Sequence, residues 1–243
     1  MSKERERQIL EILARQKQAS VHDLAQRLYA SEPSIRRDLA RLHSQHLIQR
    51  THGGAVLEET ALSQTKIPFL IRELEQSDAK LIMARRAIEQ VKDNDVVFLD
   101  ASTSAYTLIP FLSQKRGITV VTNGVKALAR LAEYGISTLS TGGELIASCM
   151  ALVGEDACRY VDGINADVAF FSCRGLSMDG RLSDIAPAEN HVRRRMIAQS
   201  RRAFLLCASE KFGKVFYHHL CTTRELDGVI SDAETDAFPL RQG

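Results

Sequence analysis

Short, apolar, β-rich runs recur through residues 96–230 and constrain the fold more than any other feature of this sequence. Stretches with a helical pattern separate most of them. A strand that is apolar along its whole length must be covered on both faces, so this alternation predicts an α/β fold with a mainly parallel sheet. The predicted strands are 96–99, 118–121, 137–140, 168–171, 203–207 and 228–230, and the predicted helices are 79–92, 105–112, 125–134, 155–160 and 189–200.

Small, hydroxylated or glycine residues follow five of these runs, and two of the five loops add a cation. The carboxyl ends of parallel strands share one edge of a sheet, where such sheets bind ligands. One such loop alone would be ordinary, since Ser and Thr cap helices. Five loops on one edge favour a site for a phosphorylated small molecule. Its candidate residues are Asp100, Ser102, Thr103, Ser104, Thr122, Asn123, Gly142, Gly143, Arg174 and Lys211.

Residues 3–57 have a different pattern, typical of a small helical domain. Helices are predicted at 3–16 and 21–28, and a third begins after the short turn at 29–31. The third helix places its apolar residues on one stripe and its arginines on the opposite side. Two helices, a tight turn and an arginine-bearing helix are the helix-turn-helix arrangement.

Two short β patterns, 47–49 and 55–57, follow the third helix and flank Thr51-His52-Gly53-Gly54. We interpret both glycines as turn residues, because Gly tolerates positive φ. The hairpin completes a winged helix-turn-helix. An arginine-rich helix face is most often merely solvated, but the three-helix frame and the wing favour DNA binding. The candidate DNA contacts are Ser34, Arg36, Arg37, Arg41, Arg50 and His52.

The charge of the chain is unevenly distributed. Residues 1–57 carry ten Lys or Arg and six Asp or Glu, a net charge of +4, whereas residues 58–243 carry 22 and 24, a net charge of −2. The positive excess therefore lies in the domain predicted to bind nucleic acid. We predict a DNA-binding domain at 1–57, a linker at 58–76 whose end could start a helix, and an effector domain at 77–243.

No apolar run approaches the roughly 18 residues that span a bilayer, and the start of the chain has no apolar signal segment, so we expect a cytoplasmic protein. The five cysteines form no CxxC pair and are odd in number. We therefore expect neither a zinc site nor a disulfide framework, and no cofactor.

Residues 3–57 resemble the DNA-binding domain of the DeoR family of bacterial sugar-responsive regulators. Ser34-Ile35-Arg36-Arg37-Asp38-Leu39 and Arg50-Thr51-His52-Gly53-Gly54-Ala55 stand where the family has its signature, with Ser34 in place of a common Thr. The resemblance implies operator binding, with Arg36 and Arg37 as the leading contacts, and repression as the usual mode. Because one recognition helix and one wing cover little DNA, we also expect a homo-oligomer.

Residues 78–232 resemble the family's effector domain, which is similar in fold to ribose-5-phosphate isomerase and the CoA-transferase-like proteins. The matching positions are 100–104, 122–123, 142–143 and 211–213. The resemblance implies a sugar-phosphate effector. The chain departs from the family at Ser102, where Gly is frequent, and at 172–175, which reads Ser-Cys-Arg-Gly where the family commonly has Gly-Ala-Asp-Gly.

The cation at Arg174 suggests an effector with a second anionic group, such as a phosphorylated sugar acid. In the alternative interpretation, Arg174 pairs with Asp184 or Glu189 and never meets a ligand. A different class of function is a sugar-phosphate isomerase fused to a DNA-binding module, for which Asp100 or Asp184 would have to serve as the base. A scaffold without a ligand would give Arg174 and Lys211 no role.

Overall fold

The computed structural model describes residues 2–45, 47–57 and 69–241. The chain divides into two compact units, residues 1–76 and 77–243. Most of the predicted linker, residues 58–68, lies outside the described residues. The helix predicted at its end is present at Phe69–Leu74 and belongs to the first unit.

The first unit is a three-helix frame with a small antiparallel sheet, and it confirms the predicted winged helix-turn-helix. Its apolar core is built from all three helices and the wing, and Ile9, Leu24 and Leu39 are almost fully buried in it. The elements are α1 (Ser2–Gln16), β1 (Gln18–Ser20), α2 (Val21–Arg27), α3 (Glu32–Ser44), β2 (Ile48–Thr51), β3 (Gly54–Leu57) and α4 (Phe69–Leu74).

The two glycines of the wing serve different purposes. Gly53 has φ +113, as predicted for a turn residue, whereas Gly54 is not among the residues with positive φ. The interpretation of Gly54 as a second positive-φ residue is therefore wrong. Strand β1, which the sequence did not reveal, pairs with β3 at Gly54. A Cβ on Gly54 would lie 2.2 Å from the backbone oxygen of Ala19, so only glycine allows this close approach.

The second unit is built on a sheet of six parallel strands, which confirms the predicted α/β class. All six predicted strands are present. They are β4 (Val96–Leu99), β5 (Thr119–Thr122), β6 (Ser137–Ser140), β9 (Ala166–Phe171), β12 (Ser200–Leu206) and β14 (Gly228–Ile230). Their order across the sheet is β14-β12-β9-β4-β5-β6, so the first predicted strand, β4, lies in the middle.

Helices and apolar side chains cover both faces of this sheet. Neighbouring residues of β4 alternate between two clusters, with Phe98 in one and Val97 and Leu99 in the other, as expected for a strand buried on both faces. The helices are α5 (Ser77–Ala87), α6 (Thr103–Leu112), α7 (Val125–Glu133), α8 (Glu155–Asp162) and α9 (Pro187–Ala198), with single 3-10 turns at Ile88–Gln90, Ser209–Lys211 and Thr223–Glu225.

Two small antiparallel sheets were not predicted. One is the hairpin of β7 (Glu144–Ile146) and β8 (Ala151–Val153); the other joins β10 (Gly175–Leu176), β11 (Arg181–Asp184) and β13 (His218–Thr222). These strands have two to five residues, and several of those residues are polar. Such segments carry too little periodicity to be distinguished from loops.

None of the helices among the described residues is long and apolar enough to cross a membrane.

The substitution Gly54→Ala is expected to destabilise the first unit by roughly 2–3 kcal/mol, because the new methyl group collides with backbone rather than with a side chain that could move. The control is Gly163→Ala, where φ is −84 and the nearest atom to the added Cβ, Tyr160 O, lies at an ordinary contact distance of 3.6 Å. Urea denaturation of the full chain, followed by helical circular dichroism, measures both. Equal midpoints for the two variants would contradict the packing role of Gly54.

Candidate functional site

The exposed face of α3 presents two arginines that are only loosely held. Arg36 Nη2 lies 3.3 Å from a carboxylate oxygen of Glu32, and Arg37 Nη2 donates to Ser34 Oγ at 3.2 Å. The Arg36 and Glu32 side chains are 54% and 43% exposed, and exposed ion pairs of this kind contribute at most about 1 kcal/mol. Both guanidinium groups can therefore exchange these partners for DNA at little cost.

Arg41 differs from the other two arginines. Its Nε lies 2.7 Å from Glu6 Oε1, and it also pairs with Asp38, which is fully buried and bonded to Arg5 as well. These contacts tie α3 to α1. The sequence placed Arg41 with Arg37 on a free outer face, whereas two carboxylates already neutralise its charge.

The wing tip carries the two remaining predicted cations, Arg50 and His52, and both are exposed. The backbone N–H of Val21 donates to Gly53 O at 2.7 Å. This bond fixes the turn of the wing to the start of α2, so the wing and the helix-turn-helix form one surface within the first unit.

In the second unit, the structure brings the five predicted loops to one edge of the sheet. The strands that precede them, β12, β9, β4, β5 and β6, are consecutive in the sheet and all parallel. Their carboxyl ends therefore form a continuous row of loops, here called the effector edge, which comprises residues 100–104, 122–124, 141–144, 172–175 and 208–213.

The first loop of the effector edge leads into the N-terminus of α6. Ser102 Oγ accepts the N–H of Ala105 at 3.1 Å, and the N–H of Ser102 donates to Asp100 Oδ1 at 3.0 Å. Thr103 and Ser104 form the buried first turn of α6, where backbone N–H groups have no intrahelical acceptor. Such a turn attracts an anionic group.

Lys211 approaches the same edge from the loop after β12. Its ammonium donates to Ser172 Oγ at 3.1 Å and to Cys173 O at 2.8 Å, which leaves one of its three N–H groups for a ligand. Asp232 anchors the loop by accepting the N–H of Ser209 at 2.7 Å and its hydroxyl at 2.8 Å. Burial acts to raise the pKa of Asp232, but the hydrogen bonds it accepts, from Ser209 and Ser231 among others, together lower the pKa overall.

Asn123 offers an acceptor that the protein leaves unused. Its Nδ2 donates to Leu152 O at 2.9 Å, which fixes the orientation of the amide. Its Oδ1 is buried, and no donor in the part of the chain that the structure describes bonds to it. Buried polar atoms are nearly always satisfied, so a ligand hydroxyl or a water molecule is expected here.

The neighbouring predicted residues shape the loops. Thr122 Oγ1 accepts the N–H of Gly124 at 3.0 Å and is already engaged. Gly142 and Gly143 both have positive φ in the loop after β6. Cys173 is buried, and its pKa is raised by a hydrogen bond with Cys207 and by burial, so its thiol stays protonated.

Arg193 is the main residue of this edge that the sequence did not reveal. Its guanidinium, nearly inaccessible, donates to Asp100 Oδ2 at 2.8 Å, Asp184 Oδ2 at 2.9 Å and Glu189 Oε2 at 3.1 Å, and to Asn190 Oδ1 at 3.2 Å. Burial alone would lower the pKa of Arg193, but the three carboxylates raise it overall. The sequence gives one hint of this role: Arg193 is a charged residue that falls on the apolar stripe of α9, one turn before Ile197.

Arg174 lies beside Asp184, one of the two partners that the alternative interpretation gave it. Its Nε is 3.8 Å from Asp184 Oδ1, within ion-pair range but longer than a hydrogen bond, and its side chain is 24% exposed. Glu189, the other predicted partner, pairs with Arg193 instead. Arg174 therefore sits beside a carboxylate and remains partly open to solvent.

No group of three or more His, Cys, Asp or Glu residues among 2–45, 47–57 and 69–241 is arranged to hold a metal ion.

Comparison with known proteins gives two family matches. A model of the DeoR-like helix-turn-helix domain matches residues 5–61, and a model of the DeoR C-terminal sensor domain matches residues 75–233. The regulator YulB of Bacillus subtilis is 31% identical over 96% of this chain and 90% of its own length. The L-fucose operon activator of Haemophilus influenzae is 31% identical, over 94% of this chain and 91% of its own. The glycerol-3-phosphate regulon repressor of Escherichia coli is 27% identical, over 93% and 88%.

Two solved structures are similar to this chain at low sequence identity, and the first of them shares its fold. The delta subunit of eIF2B from Chaetomium thermophilum is 12% identical, with a TM-score of 0.50 over 85% of this chain and 65% of its own. Ribose 5-phosphate isomerase A from Methanocaldococcus jannaschii is 16% identical, with a TM-score of 0.44 over 57% of this chain. This chain spans about half the length of that isomerase, 55%.

Replacing Arg193 with Met is expected to destabilise the second unit by about 3–5 kcal/mol, because three buried carboxylates lose their counter-charge. Arg193→Lys should recover only part of this loss, since an ammonium cannot reproduce the planar fork. The control is Arg195→Met on the same helix, whose exposed ion pair with Asp162 should contribute at most about 1 kcal/mol. Urea denaturation curves that coincide for Arg193→Met and Arg195→Met would contradict the role of the cluster.

Proposed function

Because this chain belongs to the DeoR family of helix-turn-helix transcriptional regulators, we propose that it represses an operon for the use of a carbohydrate or sugar acid and responds to a phosphorylated effector. The observation that carries the proposal is the pairing, in one chain, of a loosely held arginine helix face with a polar sheet edge suited to an anion. One relative, the glycerol-3-phosphate regulon repressor, is named as a repressor, whereas another, the L-fucose operon activator, is named as an activator. Operator binding also requires a cytoplasmic location.

The DNA-binding surface is proposed to comprise Arg36 and Arg37 as leading contacts, supported by Ser34, Arg50 and His52. All five lie on α3 or the wing. Arg41 is proposed to contact DNA only where it can give up its pairs with Glu6 and Asp38, so its contribution is smaller. The protein is proposed to act as a dimer or a higher symmetric oligomer, because one such surface covers a short stretch of DNA. Sedimentation of a monomer both free and on DNA would contradict that.

The effector is proposed to bind at the effector edge with its phosphate between the first turn of α6 and Lys211. The ligand hydroxyls are proposed to satisfy Asn123 Oδ1. Gly142, Gly143 and Thr122 shape the adjoining loops. Arg174 is proposed to bind a second anionic group, as a sugar acid would provide.

An isomerase reaction is not proposed for this site. The two carboxylates that could act as bases, Asp100 and Asp184, are both hydrogen-bonded to the buried Arg193. A general base must reach a carbon-bound proton of the substrate, and these oxygens face a guanidinium instead. Turnover of any member of a panel of sugar phosphates by the purified protein would favour the enzyme after all.

Substituting Arg36 or Arg37 with Ala is expected to weaken binding to the DNA upstream of the protein's own gene by about 1–3 kcal/mol. Loss of one phosphate contact should also reduce the slope of log affinity against log salt concentration by about one. The measurement is a fluorescence anisotropy titration at two salt concentrations. Arg7→Ala is the control, because Arg7 is an exposed arginine of α1 paired with Glu4 and Glu11. If both α3 variants bound DNA with wild-type affinity, the proposed role of this helix would be wrong.

Substituting Arg174 with Ala is expected to weaken an aldonic acid phosphate by about 1.5–3 kcal/mol, the range for a hydrogen bond to a charged group. The aldose phosphate of the same carbon skeleton should be barely affected, since it lacks the carboxylate. Calorimetry measures both ligands, with Arg181→Ala as the control because Arg181 pairs with Asp179 in the neighbouring hairpin. Equal weakening of the two ligands, or no binding of either by the wild type, would show that Arg174 does not recognise a second anion.

A further inference from the structure

The second unit contains a cavity of about 660 Å³ that the proposed function does not use. It lies beside the C-terminal half of α9 and the start of β12, whereas the effector edge lies at the opposite, carboxyl ends of the strands. Its lining comes from α9, β12, β13, the 3-10 turn at Thr223–Glu225 and the segment after β14. The residues are Arg194, Ile197, Ala198, Ser200, His219, Leu220, Cys221, Arg224, Glu225 and Arg241.

Three arginines from three separate segments surround this cavity, and it is here called the arginine cavity. Arg194 Nη2 donates to the backbone oxygen of His219 at 2.9 Å, and Arg241 Nη1 lies 3.6 Å from Asp227 Oδ2. Among the described residues, no carboxylate forms an ion pair with Arg194 or Arg224. These two guanidinium charges of the lining are thus not neutralised by a direct ion pair.

The one carboxylate of the lining is committed elsewhere. Glu225 Oε1 accepts the N–H of Thr222 at 2.7 Å and its hydroxyl at 3.1 Å, which closes a capping box around the 3-10 turn. Glu225 therefore stabilises its own turn. The cationic excess of the lining remains after this acid is counted.

The floor of the cavity is apolar. Ile197, Leu220 and Cys221 are buried, and burial raises the pKa of the Cys221 thiol to about 12, so this floor carries no charge near neutral pH. Six of the ten lining residues are polar or charged, which suits an anionic ligand, and the volume lies within the usual range for small-molecule sites. Guanidinium forks match phosphate oxygens in a bidentate manner.

We propose that the arginine cavity binds a small organic molecule carrying at least two phosphate groups. Arg194 and Arg224 bind the phosphates, Arg241 assists, and the organic part packs on the exposed Ala198 and on the accessible edge of Ile197. Bidentate binding by three guanidinium groups uses more oxygens than the three that one terminal phosphate offers, so a second phosphate is part of the proposal. The site is separate from the effector edge and does not depend on the proposed effector.

Isothermal titration calorimetry of the full chain, in metal-free buffer, tests the proposal with three probes: orthophosphate, tripolyphosphate and ATP. The test variants are Arg224→Ala and Arg194→Ala, both substitutions of exposed side chains. Arg159→Ala is the matched control, since Arg159 is an exposed arginine of α8 in the same unit and outside the lining. Lys211→Ala reports on binding at the effector edge.

Tripolyphosphate is expected to bind the wild type more tightly than orthophosphate, and ATP more tightly still because its organic part covers the floor. Arg224→Ala and Arg194→Ala should each weaken tripolyphosphate at this cavity about ten-fold or more, whereas Arg159→Ala should leave it unchanged. Lys211→Ala removes any binding of tripolyphosphate at the effector edge, so the arginine substitutions are also measured in that background. The proposal is overturned if tripolyphosphate does not bind, if Arg159→Ala weakens it equally, or if only Lys211→Ala does. Equal affinities for ATP and tripolyphosphate would overturn the role of the apolar floor.

Discussion

The buried guanidinium of Arg193 is the interaction on which the architecture of the effector edge depends. It joins the end of the central strand β4, through Asp100, to the end of β11, through Asp184, and to its own helix through Glu189. Taking four charges out of water costs several kcal/mol per ion, and only complete hydrogen bonding offsets that cost. The arrangement therefore adds little net stability. Its main effect is to hold the surrounding loops in one geometry.

Charged side chains are buried and paired in the second unit, whereas the arginines of the first unit that matter here are exposed. In the second unit, one buried cation faces three carboxylates, and this local negative excess is matched by Arg174 beside Asp184 and by Lys211 in the adjacent loop. In the first unit, Arg36 and Arg37 are exposed and weakly paired. A buried network holds a binding site in shape, whereas exposed charges remain available for a polyanion and sensitive to salt.

The sequence predicted those parts of the molecule whose signal is periodic. Five of the six strands of the parallel sheet were found because short, largely apolar runs bounded by turn residues are typical of buried strands, and the parallel order then placed five loops on one edge. The edge strand β6, Ser-Thr-Leu-Ser, is mostly exposed and carries a weaker signal. Strand β1, with the sequence Gln-Ala-Ser, and the dipeptide β10 have no such signal, and tertiary pairing alone creates them. Gly54 was misread for this reason. Arg193 and the pairing of Arg41 with Glu6 depend on contacts between segments distant in sequence, which no local pattern reports.

The five cysteines of the chain are all buried, and each keeps its thiol outside any disulfide. Burial raises the pKa of Cys158 and Cys221, and Cys173 donates its thiol to Gly175 O within the effector edge. A maleimide reagent therefore meets none of them at the surface of the folded protein. A single cysteine introduced at an exposed position, one in each unit, would accept a spin label or a fluorophore without removal of the native thiols. The natural chain is in this respect already suited to spectroscopic measurement of the distance between its two units with and without a ligand.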